Sequence, residues 1–412
     1  MRIKVVPGDF LVEEQAHLAL VAFGPWAAYR VRKVGLTTLE VQTLLASMLK
    51  LSRQQVIFPA LKDKDAVAVQ FAALPTGLAG VIEGKGFRAQ RIGFLRQPFR
   101  PSDLQGNAFT ILMRDLAEEE AVCILQRLGD LGRYGLPNYF DQQRFGSLAP
   151  DGSFIGKAIL RRDAEGALRA YFTQPFLGDP RAVLAFKRAA VTLWPNWPAM
   201  LEAAPCPSNY RSLLTYLVGH SADLRKALNL IPQRLLSLYL AAYQSYLWNR
   251  ITGAYLTQLY QQGGVQALPL TIAGQALPVH ACLAGQLLAE LSSLRIALPS
   301  HQATFQAGVE GIAQEVLAAE GLALDDLKAR ILKKAYLAKG SRAVLLIPQE
   351  IKVDAPLADE RFLGRLKLPV RFVLPPGSYA TLVIKAAHLP RPESGEGGVR
   401  ASMREDHVRP IA

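Results

Sequence analysis

The chain has 412 residues, 50% of them hydrophobic, with 47 Lys and Arg against 34 Asp and Glu for a formal net charge of +13. A core large enough for about two or three domains excludes a disordered tail protein, and the basic balance puts a polyanion such as nucleic acid first among partners. The chain starts in a strand-like alternation without the apolar stretch and cleavage site of a leader, and apolar runs such as "RAVLLIP" are too short to span a bilayer, so a soluble cytoplasmic protein is expected.

"IKVVPGDFLVEE" has extended character broken at Pro7-Gly8, and "WAAYRVRKVG" puts Tyr29, Val31 and Lys33 on one strand face with Arg30 and Arg32 on the other. Thr37 and Glu40 form a capping-box signature, and Val41, Leu44, Leu45, Met48 and Leu49 follow at helical spacing, which predicts an amphipathic helix over 38–50 lying on a sheet. "QQVIFPAL" then reads as a strand running into Lys62-Asp63-Lys64-Asp65, and "AVAVQFAAL" as another leaving it. "RIGFLRQPFRPSDLQGNAFTILMRDL" gives strand, basic loop and strand, and Ala121, Val122, Ile124, Leu125 and Leu128 predict a helix near 117–130 that leads into "GRYGLPNYFDQQRFG".

From about 158 to 338 the chain is Ala/Leu-rich and helical in pattern. "LLSLYLAAYQSYLWNRITGAYLTQLY" lines up Leu236, Leu240, Tyr243 and Leu247, and "LDDLKARILKKAYLAKG" predicts an amphipathic helix with a basic face. Strand patterns return in "RAVLLIPQEIKVD" and "LPVRFVLPPGSYATLVIKAA", while residues 391–412 are polar and Pro/Gly-rich and are expected to be disordered. No internal repeat is evident. Strand-rich ends around a helical middle predict an α+β unit built from 1–157 and 339–390, interrupted by an inserted domain at 158–338.

Cys123, Cys206 and Cys282 make no CxxC pair and read as reduced core residues; the six histidines form no ligand set, and GxGxxG and Walker A motifs are absent. Neither a nucleotide cofactor nor a metal is supported. The charged quartet lacks the Gly, Asn or Pro of an exposed hairpin tip, and Val56, Ile57, Phe58 and Leu61 drive the chain inward. Between Lys62 and Lys64, Asp63 would stay ionised in a dry cleft, as a nucleophile or general base must. A solvated charged loop is the alternative, and an Asp63–Asp65 metal site lacks a third ligand.

In "GLPNYFDQQRFG", Asn138 suits a base edge, Tyr139 and Phe140 offer π faces and Arg144 a phosphate fork; the alternative is that the aromatics fill a core. Basic clusters at Arg30, Arg32 and Lys33, at Arg88, Arg91, Arg96 and Arg100 among Phe87, Phe94 and Phe99, and at Lys328, Arg330, Lys333 and Lys334 suit phosphate contact and stacking, or simply solvated faces.

"ALKDKDAVAVQ" and "LPNYFDQQRFG", about 70 residues apart, together with "KVVPGDFLVEE", "GNAFTILMRDL", "AAYQSYLWNR" and "RFVLPPGSYATLVIK", resemble the signature segments of the TruD family of tRNA pseudouridine synthases, over nearly the whole chain except its tail. The resemblance implies a pseudouridine synthase catalytic domain, with a mixed, mainly antiparallel sheet, helices and a central cleft, interrupted by a mostly helical TruD-specific domain. It further implies a tRNA partner, no cofactor, and conversion of one flipped-out uridine, position 13 in the usual bacterial substrate, to pseudouridine; a monomer is expected. Asp63 falls on the catalytic aspartate and Lys62 on the lysine before it; Lys4 and Phe10 match the N-terminal active-site segment, Asn138 the pocket asparagine and Phe140 the stacking aromatic, while Gln70 closes the first motif. On this resemblance Lys4 and Lys62 would keep the site electropositive. Departures are Gly8 for an acidic residue, Ala60 for glycine, Ala68 for threonine and Asp141 for glycine, the last adding negative charge near an expected phosphate path. Two other readings are a tRNA-binding or RNA-folding protein whose catalysis is secondary or lost, and a metal-dependent phosphodiesterase using Asp63 and Asp65.

Overall fold

The computed structural model describes residues 1–176, 178–283 and 285–390; the expected disorder of 391–412 lies outside them. Six strands come from the first part of the chain: β1 (Phe10–Ala16), β2 (Trp26–Val34), β3 (Val67–Pro75), β4 (Val81–Gly84), β5 (Phe87–Leu95) and β6 (Leu104–Leu116). Three more, β7 (Gln349–Val353), β8 (Leu357–Ala358) and β9 (Leu366–Leu374), come from the last. They form one nine-stranded sheet ordered β7-β9-β6-β1-β3-β2-β5-β4, with β8 also on β9. The late strand β9 pairs with β6 from Leu366↔Leu116 to Leu374↔Asn107, so the two ends of the chain share a sheet, as the strand-rich termini predict.

The pairing of β1 with β3 is parallel, Leu11 opposite Val67, while the other ladders of this sheet are antiparallel. A parallel return needs a crossover, and β2 followed by the helix α1 (Thr38–Met48) supplies it. The start of α1 is fixed by the capping box: Thr37 Oγ1 accepts from the Glu40 amide at 3.1 Å and Glu40 accepts from the Thr37 amide at 2.6 Å. Val41, Leu45 and Ala46 bury its inner face against Tyr29, Val31, Ala72 and Leu74. The opposite side of the sheet, with Phe10, Val12, Phe109 and Ile111, belongs to a larger core shared with α2 (Glu118–Tyr134), the long helix α3 (Gln233–Gln262) and α4 (Ala380–Ala387). Along α3 the expected stripe of Leu236, Leu240, Tyr243 and Leu247 is buried.

Three expectations are corrected. The stretch before Asp63 is one 3-10 turn, Arg53–Gln55, followed by a lone bridge from Ile57 to Ala73, so the chain reaches the charged quartet without a strand. After the short turn Leu324–Lys328, the basic segment expected to be helical is irregular: Ala329 takes a left-handed φ of 51°, and Ile331, Leu332, Ala335 and Leu337 are buried. Its backbone bonds to side chains instead, with the Lys333 amide donating to Asn229 Oδ1 at 2.8 Å and Gln244 Nε2 donating to Ala338 O at 2.7 Å; those tertiary bonds replace the helical ladder. The three cysteines are free but exposed rather than in the core. Among the described residues no helix is long and apolar enough to cross a membrane.

Candidate active site

Because β1 and β3 run parallel, their first residues arrive side by side, and the segments before them, around Lys4 and around Asp63, meet at one end of the sheet. The Asp63 loop is held from below. Thr38 Oγ1 accepts from the Lys62 amide at 2.8 Å and donates to Gln70 Oε1 at 3.0 Å, while Gln70 Nε2 donates to Ala60 O at 3.3 Å. Gln70, the residue that closes the first motif, is fully buried and does not line the cavity beside Asp63; it braces the loop from behind.

The Asp63 side chain is 39% exposed and opens into a cavity of about 380 Å³ whose walls include Lys4, Phe10, Lys62, Asn107, Arg144 and Tyr379. Lys4 Nζ lies 3.4 Å from Asp63 Oδ2 and 4.4 Å from the centre of the Phe10 ring, and Gln143 Nε2 donates to Asp63 Oδ1. The lysines that flank Asp63 in sequence are not its partners in space. Lys62 Nζ donates to Asn107 Oδ1 at 2.7 Å and sits 3.0 Å from Glu14 Oε1, and Lys64 comes within 4.0 Å of Glu40. The ammonium beside the carboxylate is that of Lys4, from the segment that precedes β1. Burial pushes the Glu14 carboxyl up, while Lys62 and the Phe71 amide, which donates at 2.8 Å, hold it down.

The second motif is delivered by a glycine. Gly135 ends α2 at φ 70°, and a Cβ there would lie 2.7 Å from Leu346 O, so the chain can turn into Leu136-Pro137 and pair with Leu345-Leu346. Asn138 and Phe140 follow, 6% and 9% exposed, and neither is among the residues lining the cavity. Asn138 Nδ2 donates to Ala343 O at 3.2 Å, and the Phe140 amide and carbonyl are bracketed by Asn249 at 2.9 and 2.8 Å. The cavity wall in front of Phe140 is formed by Tyr379, whose ring centre is 6.3 Å away, and Arg144, 5.7 Å above the Phe140 ring. Arg144 also donates from Nε to Ser245 Oγ at 3.0 Å.

Arg342 organises this wall. It donates to Asn138 O at 2.6 Å, Asn138 Oδ1 at 2.7 Å and Gly377 O at 2.9 Å, and its guanidinium lies 4.2 Å from the Phe140 ring centre. Burial pulls its pKa down to about 10, leaving it charged at neutral pH. Asp141, read from sequence as a negative charge in the phosphate path, is corrected: it is 1% exposed and bonded to Thr381 and to Lys385 at 2.6 Å. Phe87 and Phe99 are each 5% exposed and cannot stack on a base; Phe94 carries Arg91 at 5.2 Å. Lys33, grouped with the outward arginines in the sequence, is fully buried.

Sequence reasoning passed over Gln143 and Tyr379, although both lie in segments quoted for the resemblance, and Arg342, for which the sequence carries no local signal. Among the described residues no three His, Cys, Asp or Glu side chains gather as metal ligands. What the cavity offers is the solvent-reachable Asp63 carboxylate with an ammonium and an amide bonded to it, the cations of Lys62 and Arg144, and apolar and aromatic walls, groups able to take part in covalent or proton-transfer chemistry.

The model of the family tRNA pseudouridine synthase D (TruD) matches residues 1–264. Among curated relatives, "Probable tRNA pseudouridine synthase D 2" of Methanocaldococcus jannaschii is 27% identical over 94% of this chain and 92% of its own length. The "tRNA pseudouridine synthase D" of Aquifex aeolicus is 27% identical over 93% of this chain and 97% of its own. A crystal structure of a Methanosarcina mazei protein titled as a TruD superposes with a TM-score of 0.68 at 23% identity, covering 94% of this chain and 93% of that one, and shares the fold. With its family model matched over more than half its length, the chain belongs to the TruD family of tRNA pseudouridine synthases.

Proposed function

We propose that this protein isomerises one uridine of tRNA, uridine 13, to pseudouridine, with Asp63 as the reacting carboxylate. The observation that carries the reading is the Asp63 carboxylate on the wall of a cavity of about 380 Å³, bonded to Lys4 and Gln143. The sheet-bearing parts, 1–157 and 339–390, form the catalytic domain of this reading, and 158–338 the inserted one. Membership of the family and the names of its relatives support tRNA as substrate.

The reaction breaks the bond from N1 to C1′, turns the uracil and joins C5 to C1′; the C5 proton is given up and N1 gains one, so nothing is consumed. A uridine inside a helix must first leave its stack. Lys4 places its ammonium against Asp63 and Phe10, Tyr379 and Arg144 offer an aromatic ring and a cation to the base or its phosphate, and Phe140 with Asn138 holds that wall in place through Arg342. An ionised Asp63 acts by attack on carbon or by removing a sugar proton.

The test is tritium release from a tRNA transcript labelled at uridine C5, followed by mapping of the modified position. Stoichiometric release that disappears when uridine 13 is replaced by cytidine supports the reading. Binding without release would favour an RNA-binding protein that has lost catalysis, and release unaffected by the replacement would move the target elsewhere.

A further inference from the structure

Lys33 is the one residue of the basic run on β2 that turns inward. Its neighbours Arg30 and Arg32 are exposed, while Lys33 is 0% exposed, set in the ladder between Ala68 of β3 and Phe87 of β5. Its Nζ donates to two backbone carbonyls, Leu36 O at 2.6 Å and Asp63 O at 2.5 Å. Those acceptors lie in the turn before α1 and in the reacting loop, so one ammonium ties the loop to the sheet beneath it. Among the described residues no carboxylate forms an ion pair with it; Glu40, the acid on α1 that faces it, is committed to the Thr37 amide at 2.6 Å and to Lys64 at 4.0 Å.

A buried ammonium without an ion-pair partner is costly and would be selected against if a methionine filled the same space as well. The charged groups that act on Lys33 are Asp63 and Glu40, which favour its protonation, and Lys62, which opposes it; the strand neighbours Ala68 and Phe87 carry no charge. We propose that Lys33 is a positioning residue for the reaction: it clamps the Asp63 peptide so that the carboxylate faces the cavity, and it sets a positive charge at the base of that loop. The inference rests on the reading of Asp63 as the reacting group. Burial draws the Lys33 pKa down to about 8, against the pull of Asp63 and Glu40, so this charge fades on the alkaline side of neutrality.

The experiment uses the full chain and an unmodified tRNA transcript, with steady-state kinetics for KM and single-turnover rates from about pH 6 to about pH 9.5 for wild type, K33M, K33R and D63N, and a thermal melt of each. K33M is expected to lower the rate constant by roughly 10- to 100-fold with KM for tRNA within about threefold, because the group touches no RNA. The wild-type rate is expected to fall above about pH 8, and K33R, charged throughout the range, to recover part of the rate and to lack that fall. A K33M rate equal to wild type, or a K33M effect confined to KM, overturns the proposal. If K33M does not fold, the comparison of K33R with wild type decides: an alkaline fall unchanged in K33R overturns it. Activity in D63N would instead remove the reading on which the inference stands, whereas an inactive D63N beside a fully active K33M removes the inference alone.

Discussion

Replacing Arg342 by lysine keeps the charge and removes the fork. The guanidinium makes three short bonds, to Asn138 O, Asn138 Oδ1 and Gly377 O, with a longer one of 3.5 Å to Tyr139 O, and lies 4.2 Å from the centre of the Phe140 ring. An ammonium on a shorter reach satisfies one of these acceptors and cannot lie flat on the ring. Two charge-assisted bonds at about 1.5 to 3 kcal/mol each and a stacked cation at about 1 kcal/mol are therefore lost. Water entering the space returns part of this, so a net loss of roughly 3 kcal/mol is expected, equivalent to roughly 100-fold if it falls on the transition state. The assay is kcat/KM for pseudouridine formation together with the melting midpoint. Arg342 holds Asn138 and Phe140 in place behind the cavity wall formed by Tyr379 and Arg144, so most of the loss should appear in kcat/KM. A variant within about threefold of wild type in kcat/KM and with an unchanged midpoint would refute the reasoning.

Other outcomes follow from buried polar groups. His280 is buried, with Nδ1 accepting from the Tyr260 hydroxyl at 2.8 Å and Nε2 donating to Gly135 O at 3.0 Å, and burial lowers its pKa from 6.5 to about 4. A base with a depressed folded pKa adds stability above about pH 6.5 that is lost as pH falls towards about 4, by roughly 3 kcal/mol at most; urea midpoints across that window should decline in wild type and decline less in H280F. D141A strips a buried carboxylate from Thr381 and the half-exposed Lys385 and is expected to destabilise by about 2 kcal/mol, with D141N losing less; equal midpoints in all three proteins would contradict the pairing. K4M removes the ammonium 3.4 Å from Asp63 and is expected to lower kcat by roughly tenfold or more at pH 7, with a normal melting midpoint.

The elements legible in the sequence are those whose pattern is local. The capping box at Thr37 fixes the start of α1, the alternation around Tyr29 and Arg30 fixes the faces of β2, and the stripe from Leu236 to Leu247 is buried along α3, although Gln244, Ser245, Trp248 and Asn249 show that the middle of this helix is buried all round. The basic segment after Leu324 misled because its helical periodicity is real, yet Asn229 and Gln244 bind its backbone in an irregular course. At the site, Asp63 was readable as a candidate, but its electrostatic setting was not. Sequence places Lys62 and Lys64 beside it; the parallel β1/β3 pair places Lys4 there instead and turns Lys62 to Glu14 and Asn107. Arg342 follows Asn138 by 204 positions, and only the fold brings them together.

The most direct measurement is the rate of pseudouridine formation in tRNA by D63N, with tRNA affinity measured alongside. The change removes a negative charge while keeping size and hydrogen-bonding capacity, so the account expects binding close to wild type and no detectable product. Product formed at a rate near that of the unaltered enzyme would contradict it.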